Sequence, residues 1–140
     1  MIDDFVTAKA LLDKAQAFAD LHSFRLCIQG APFKSLPTET YLKETFLSND
    51  TDPLGLAADS SDRQDSIYQL DIYTPKDNGK FQSLLISNDI KAEFPRGSFV
   101  FHTPTQTVQI SNISSVILPA NNTHNMTSVS VDLIVLACSA

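Results

Sequence analysis

The chain has 140 residues, with ten Lys and Arg against sixteen Asp and Glu, for a net charge of −6. That balance argues against gripping a nucleic-acid backbone, which needs clustered cations, and no apolar run approaches the roughly 18 residues that span a bilayer. Hydrophobic residues at 43% exclude wholesale disorder, and charged residues at only 19% imply that much of the surface is neutral or covered.

Ile2 to about Leu21 reads as a helix. Phe5, Ala8, Leu12, Ala15 and Ala19 fall at helical steps, Val6, Leu11, Phe18 and Leu21 widen the stripe, and Asp3 and Asp4 sit where they can cap it. "FRLCI" (Phe24 to Ile28) alternates as a short strand. Pro32 and Pro37 bracket a loop. "TYLKETFL" (Thr40 to Leu47) alternates again, with Leu42, Glu44 and Phe46 on one side. Ser48 to Asp65 is expected to be a long acidic loop. It carries Asp50, Asp52, Asp59, Asp62 and Asp65 against the single base Arg63, with Pro53, Gly55, Ser60 and Ser61. We expect this loop to change order on assembly.

Ile67 to Tyr73 is the third strand, with Tyr68, Leu70 and Ile72 on one face and Pro75 ending it. Asp77, Asn78 and Gly79 make a turn, and a helix follows to about Phe94. Phe81, Leu84 and Leu85 form one of its stripes, and Ile86, Ile90 and Phe94 form another nearly opposite. Two apolar stripes imply two covered faces: one on the sheet, the other on a second helix or another subunit. Ser98–His102, Thr107–Ser111 (continuing through Ile113 and Val116) and Thr127–Ser139 complete the strands, with Pro119–Asn125 as a loop. The order α-β-β-β-α-β-β-β suits one α+β domain over 1–140, a mostly antiparallel sheet covered on one face by two helices.

From Ser98 to Ala140 the one formally charged residue is Asp132. Strand edges are normally defended with charge. Its absence over three strands points to strands covered by other copies or by a partner, the plainer reading being an interior set shielded by helices.

No constellation for catalysis, metal or cofactor emerges. "TPKDNGK" has one glycine and neither phosphate-loop spacing, so Lys76 and Lys80 flank a plain strand-to-helix turn. Cys27 and Cys138 lie in apolar strands with nothing to activate them. They are expected as buried free thiols, and His22, His102 and His124 are scattered along the chain. The aspartates of the acidic loop lack calcium-loop spacing and a closing Glu. Ser60 and Ser61 have no partner base in any known motif. Tyr41, Phe46, Tyr68, Tyr73, Phe99 and Phe101 alternate on strands and could stack bases, but without nearby cations core packing explains most of them. The start "MIDDFVTAKALL" has no basic n-region, so synthesis in a cytosol is expected, and the sequons at Asn49, Asn112, Asn121 and Asn125 read as chance.

Several segments together resemble the tail terminator-like proteins of long-tailed bacteriophages. "APFKSLPTETYLKETFL" (Ala31 to Leu47) resembles that family's proline-punctuated approach to an apolar strand end, and a loop with "PLGL" (Pro53 to Leu56) follows. "YQLDIYTPKDNGK" (Tyr68 to Lys80) is similar to its strand, glycine and helix. "SNDIKAEFPRG" (Ser87 to Gly97) is similar to its helix end, with Asn88 where the family often has Ala. The resemblance implies a structural α+β subunit of the virion, made in the host cytoplasm and assembling with itself into a hexameric ring. The ring would sit on the head-proximal end of the tail tube, touching the tail tube protein and the head-tail connector protein. DNA would pass through its lumen unbound, with no membrane, cofactor or catalysis. The alternatives are another neck or tail-completion protein, or a monomeric binding module.

Overall fold

Asp3 fixes where the first helix begins. Its side chain accepts a hydrogen bond from the Val6 amide at 3.2 Å, satisfying one of the donors a helix start leaves unpaired, and α1 runs over Asp4–Leu21. The computed structural model describes residues 2–36, 38–49, 51–53, 61–76, 80–119 and 123–137. After α1 come β1 (Arg25–Cys27), β2 (Tyr41–Ser48), β3 (Asp52–Pro53), β4 (Asp62–Pro75), α2 (Lys80–Glu93), β5 (Phe99–His102), β6 (Gln106–Leu118) and β7 (His124–Ala137).

The strands form one sheet in the order β1-β2-β4-β7-β6-β5, with β3 paired beside β4. Every pairing is antiparallel except β1 with β2. The centre is the β4–β7 ladder, which runs unbroken from Asp62↔Ala137 to Pro75↔His124. α1 touches β1 and β2 at one edge and β5 at the other, so the sheet curls around it. α2 lies over β7, β4 and β6. The fold is thus α+β, with both helices on one face of a mostly antiparallel sheet.

That inner face follows from alternation. Residues paired across a ladder share a face. Tyr68, Leu70 and Ile72 of β4 therefore join Leu42 of β2, Val129, Val131, Leu133 and Val135 of β7, and Val108 and Ile110 of β6, all at most 1% exposed. Leu11, Ala15, Phe18 and Ala19 of α1 and Ile86 and Ile90 of α2, with Phe94 just beyond it, close the same core.

Four expectations need correction. The stripe of α1 is rotated: Phe5 and Leu21 are exposed, and Thr7 is buried on the core line instead. Thr7 can be buried because its hydroxyl donates to the Asp3 carbonyl and accepts from Gln106 Nε2 at 2.7 Å. Both ends of the expected acidic loop, and a short piece within it, are strand. Ser48 belongs to β2, Asp52 to β3, and Asp62 and Asp65 to β4, while Asp50, Asp59 and the turn Asp77–Gly79 lie outside the described residues. The third expected strand is twice as long as its apolar centre, because Gln64 and Ser66 are buried with polar partners. Gln64 donates to Asp4 Oδ1 and accepts from Ser66. Finally, Cys27 is free but only half-buried, and Cys138 lies outside the described residues.

Candidate assembly surfaces

The side chains singled out for chemistry are occupied with structure. His22 packs against the rings of Phe18 and Phe24, and His102 against Phe99. His124 is buried, with Nε2 2.8 Å from the Glu39 carbonyl and Nδ1 2.8 Å from the Thr123 hydroxyl. A carbonyl can only accept, so in the neutral ring Nε2 carries the proton and Nδ1 accepts. Among the described residues no three His, Cys, Asp or Glu side chains gather as metal ligands. No helix there is long and apolar enough to cross a membrane.

The aromatic residues divide. Tyr68 is core. Tyr41 and Tyr73 stack at 4.5 Å between centroids with His124 edge-on to both, beneath the segment that carries Phe33. Burial, then Asp71, Tyr41 and Cys27, push the Tyr73 hydroxyl up to about 12. These two rings are committed to each other, while Phe99 stays exposed beside His102. Lys76 is a corner residue: its amide donates to the Thr123 carbonyl, and its own carbonyl accepts from Asn125.

Three surfaces carry exposed residues or a groove. The first is the outward side of α2, where Phe81 and Leu85 are 71% and 66% exposed while Ile86, Ile90, Ser83 and Ser87 are buried. Of the two stripes expected on this helix, the sheet covers one. The second is the outer face of the sheet. A groove of about 490 Å³ there is lined by Asn49, Arg63, Asp65, Ile67, Asp132 and Ile134 among others. Its lining mixes the Arg63–Asp65 ion pair and Asp132 with the apolar Ile67 and Ile134. The third is the far edge of β6, with Phe99, Val116 and Ile117 exposed beside it. The charge depletion noted in the sequence therefore marks two different things. On β7 and the first half of β6 it belongs to the inner core, and on the second half of β6 it belongs to open surface. Only alternation read against a known neighbour strand separates the two.

Large apolar side chains thus stay exposed on one helix face and one strand edge, outside the packed core. The chain belongs to the phage tail terminator protein family, whose model matches residues 7–133. It is accordingly a structural component of a phage tail, in a family that is not enzymatic. No curated protein matches. A solved structure at 14% sequence identity superposes with a TM-score of 0.78 over 96% of both chains, a likeness of fold.

Proposed function

We propose that this protein caps the head-proximal end of the tail tube, ends its polymerisation and offers the surface on which the head connector joins. In this reading it acts as a ring, a hexamer, through which the genome passes without being held. The observation that carries it, beside family membership, is the stripe of Phe81 and Leu85. Leaving two large apolar side chains in water on one helix face is costly to solubility, and contact with another subunit or the tube removes that cost. The net charge of −6 suits a conduit that repels the phosphate backbone.

The test mixes the purified chain with polymerising tail tube protein and follows tube ends by negative-stain microscopy. Capped tubes of arrested length, with density at one end only, are expected. Phe81→Ser/Leu85→Ser should keep its melting temperature, since exposed substitutions seldom cost more than about 0.5 kcal/mol, and should lose capping at least tenfold. Tubes that elongate equally with and without the chain would overturn the proposal.

A further inference from the structure

The two edges of the sheet are built differently. At one edge β1 is three residues long and its Arg25 is held by Glu39 at 3.0 Å. Beyond β1, where β2 would otherwise be open, Gln29 Oε1 accepts from the Phe46 amide at 2.7 Å, and the Gln29 amide donates to Glu44. Short length, a charge and side-chain plugging are the usual ways of blunting an edge.

The other edge also starts with a short strand, the four residues of β5, but it carries no charge and leaves the second half of β6 uncovered. β5 pairs with β6 only at Thr107, Val108 and Gln109, and the Gly97–Ser98 backbone continues the contact to Ile110. From Ser111 to Leu118, among the described residues, nothing pairs with the outer side of β6. This segment, "SNISSVIL", has no charge and no proline. Val116 and Ile117 are 57% and 53% exposed.

We propose that this edge pairs with the same edge of a second copy, antiparallel about a two-fold axis at Ser115. Three observations select that partner. In a two-fold self-contact every charge near the axis meets its own sign, so a self-pairing edge must be neutral, and this one has no formal charge from Ser98 through Leu118. The opposite edge is closed, so one copy's β6 cannot dock on the next copy's β1. Alternation then fixes the register. Ile113, Ser115 and Ile117 share the inner face through their pairing with Val131, Val129 and Thr127. A two-fold perpendicular to the sheet keeps inner with inner, so its centre must fall on a residue and not between two. Centring on Ser115 sets Ile113 opposite the second copy's Ile117, twice by symmetry, and pairs the whole stretch from Asn112 to Leu118. The sheet then continues across both copies with no open edge at the join. A two-fold contact is not the contact that propagates a ring, so the proposal stands apart from tube capping and describes a second assembly state.

Sedimentation equilibrium on the full chain tests it. A monomer–dimer equilibrium in the micromolar range is expected, and Val116→Lys/Ile117→Lys should weaken it at least tenfold with the circular dichroism spectrum unchanged. In a Cys27→Ser/Cys138→Ser background, Ser115→Cys should form a disulfide-linked dimer under mild oxidation. Directly opposed residues lie about 4.5–5.5 Å apart, within disulfide reach. Ser114→Cys, whose copies lie about 7–8 Å apart on the diagonal, should not. A chain that stays monomeric throughout would overturn the proposal, as would equal cross-linking at both positions. So would a monomer whose lysine variant loses tail tube binding, because the edge would then belong to another protein's strand. Tube capping by the lysine variant reads the ring separately.

Discussion

Glu44 shows how a residue can be placed correctly by its spacing and still carry an unexpected cost. Its alternation with Leu42 and Phe46 sets it on the inner face of β2, and it is 6% exposed there. Burial pushes its carboxyl above the ordinary value, opposed in smaller part by the Gln29 amide that donates to it. The fold therefore favours the neutral acid. Glu44's contribution to stability is full below the unfolded carboxylate range and falls as pH rises through the higher folded value. Glu44→Gln, neutral at every pH, should be more stable than the parent at pH 7. The gap should narrow toward pH 4. Urea titrations of both proteins across that range check it, and a gap that stays constant with pH would assign the effect to packing. Tyr68 stands on the same face, its hydroxyl buried and, among the described residues, without a hydrogen-bond partner. Burial and the neighbouring Glu44 both hold that hydroxyl from ionising. Neither property is written in the sequence around these two residues, because each depends on what the opposite layer brings near.

Among the elements, periodicity located both helices and the apolar centre of each long strand. It failed where polar residues are buried. Asp62–Ser66 reads as loop because it is polar on both faces, yet β7 pairs with all of it, and the start of α1 supplies Asp4 as a partner to Gln64. The same helix start explains the rotated stripe of α1. Gln106 accepts from the Asp3 amide at 2.8 Å and donates to the Asp3 carbonyl and to Thr7, tying α1 to the first residue of β6. Such a knot links residues 103 positions apart, and no local pattern can announce it. Gln106→Leu leaves the Asp3 amide and the Thr7 hydroxyl without that partner and should cost about 1–3 kcal/mol. Asp3→Ala, which removes only the cap, should cost about 1 kcal/mol. Thermal unfolding of the two variants separates them, and equal losses would mean that the cap dominates the junction.

At the scale of the whole molecule, the sequence resemblance and the family match agree on what kind of subunit this is. The charge-poor last third does not by itself separate core from exposed surface. Part of that signal is core, since β7 lies in the middle of the sheet and β6 starts inside it, and part is the open edge of β6 beyond Ile110. Strand order is set by long-range pairing, which composition does not record. The outward side of α2 was legible as the helix's second apolar stripe, whereas the outer groove and the β6 edge became visible only once the sheet order was known.

The β4–β7 ladder carries a consequence in time. Its fourteen consecutive pairs lie at the centre of the sheet, with Leu70, Val129 and Val131 fully buried beneath them, while β1 and β5 are strands of three and four residues at the margins. Opening the margins breaks few bonds, whereas opening the ladder requires the whole core to part. Amide exchange should therefore be graded from minutes at β1 and β5 to the slowest amides of the chain along β4 and β7, and exchange at β5 as slow as at β7 would contradict this. A subunit of this kind can let its borders breathe, and be rebuilt against neighbours, while its middle stays closed.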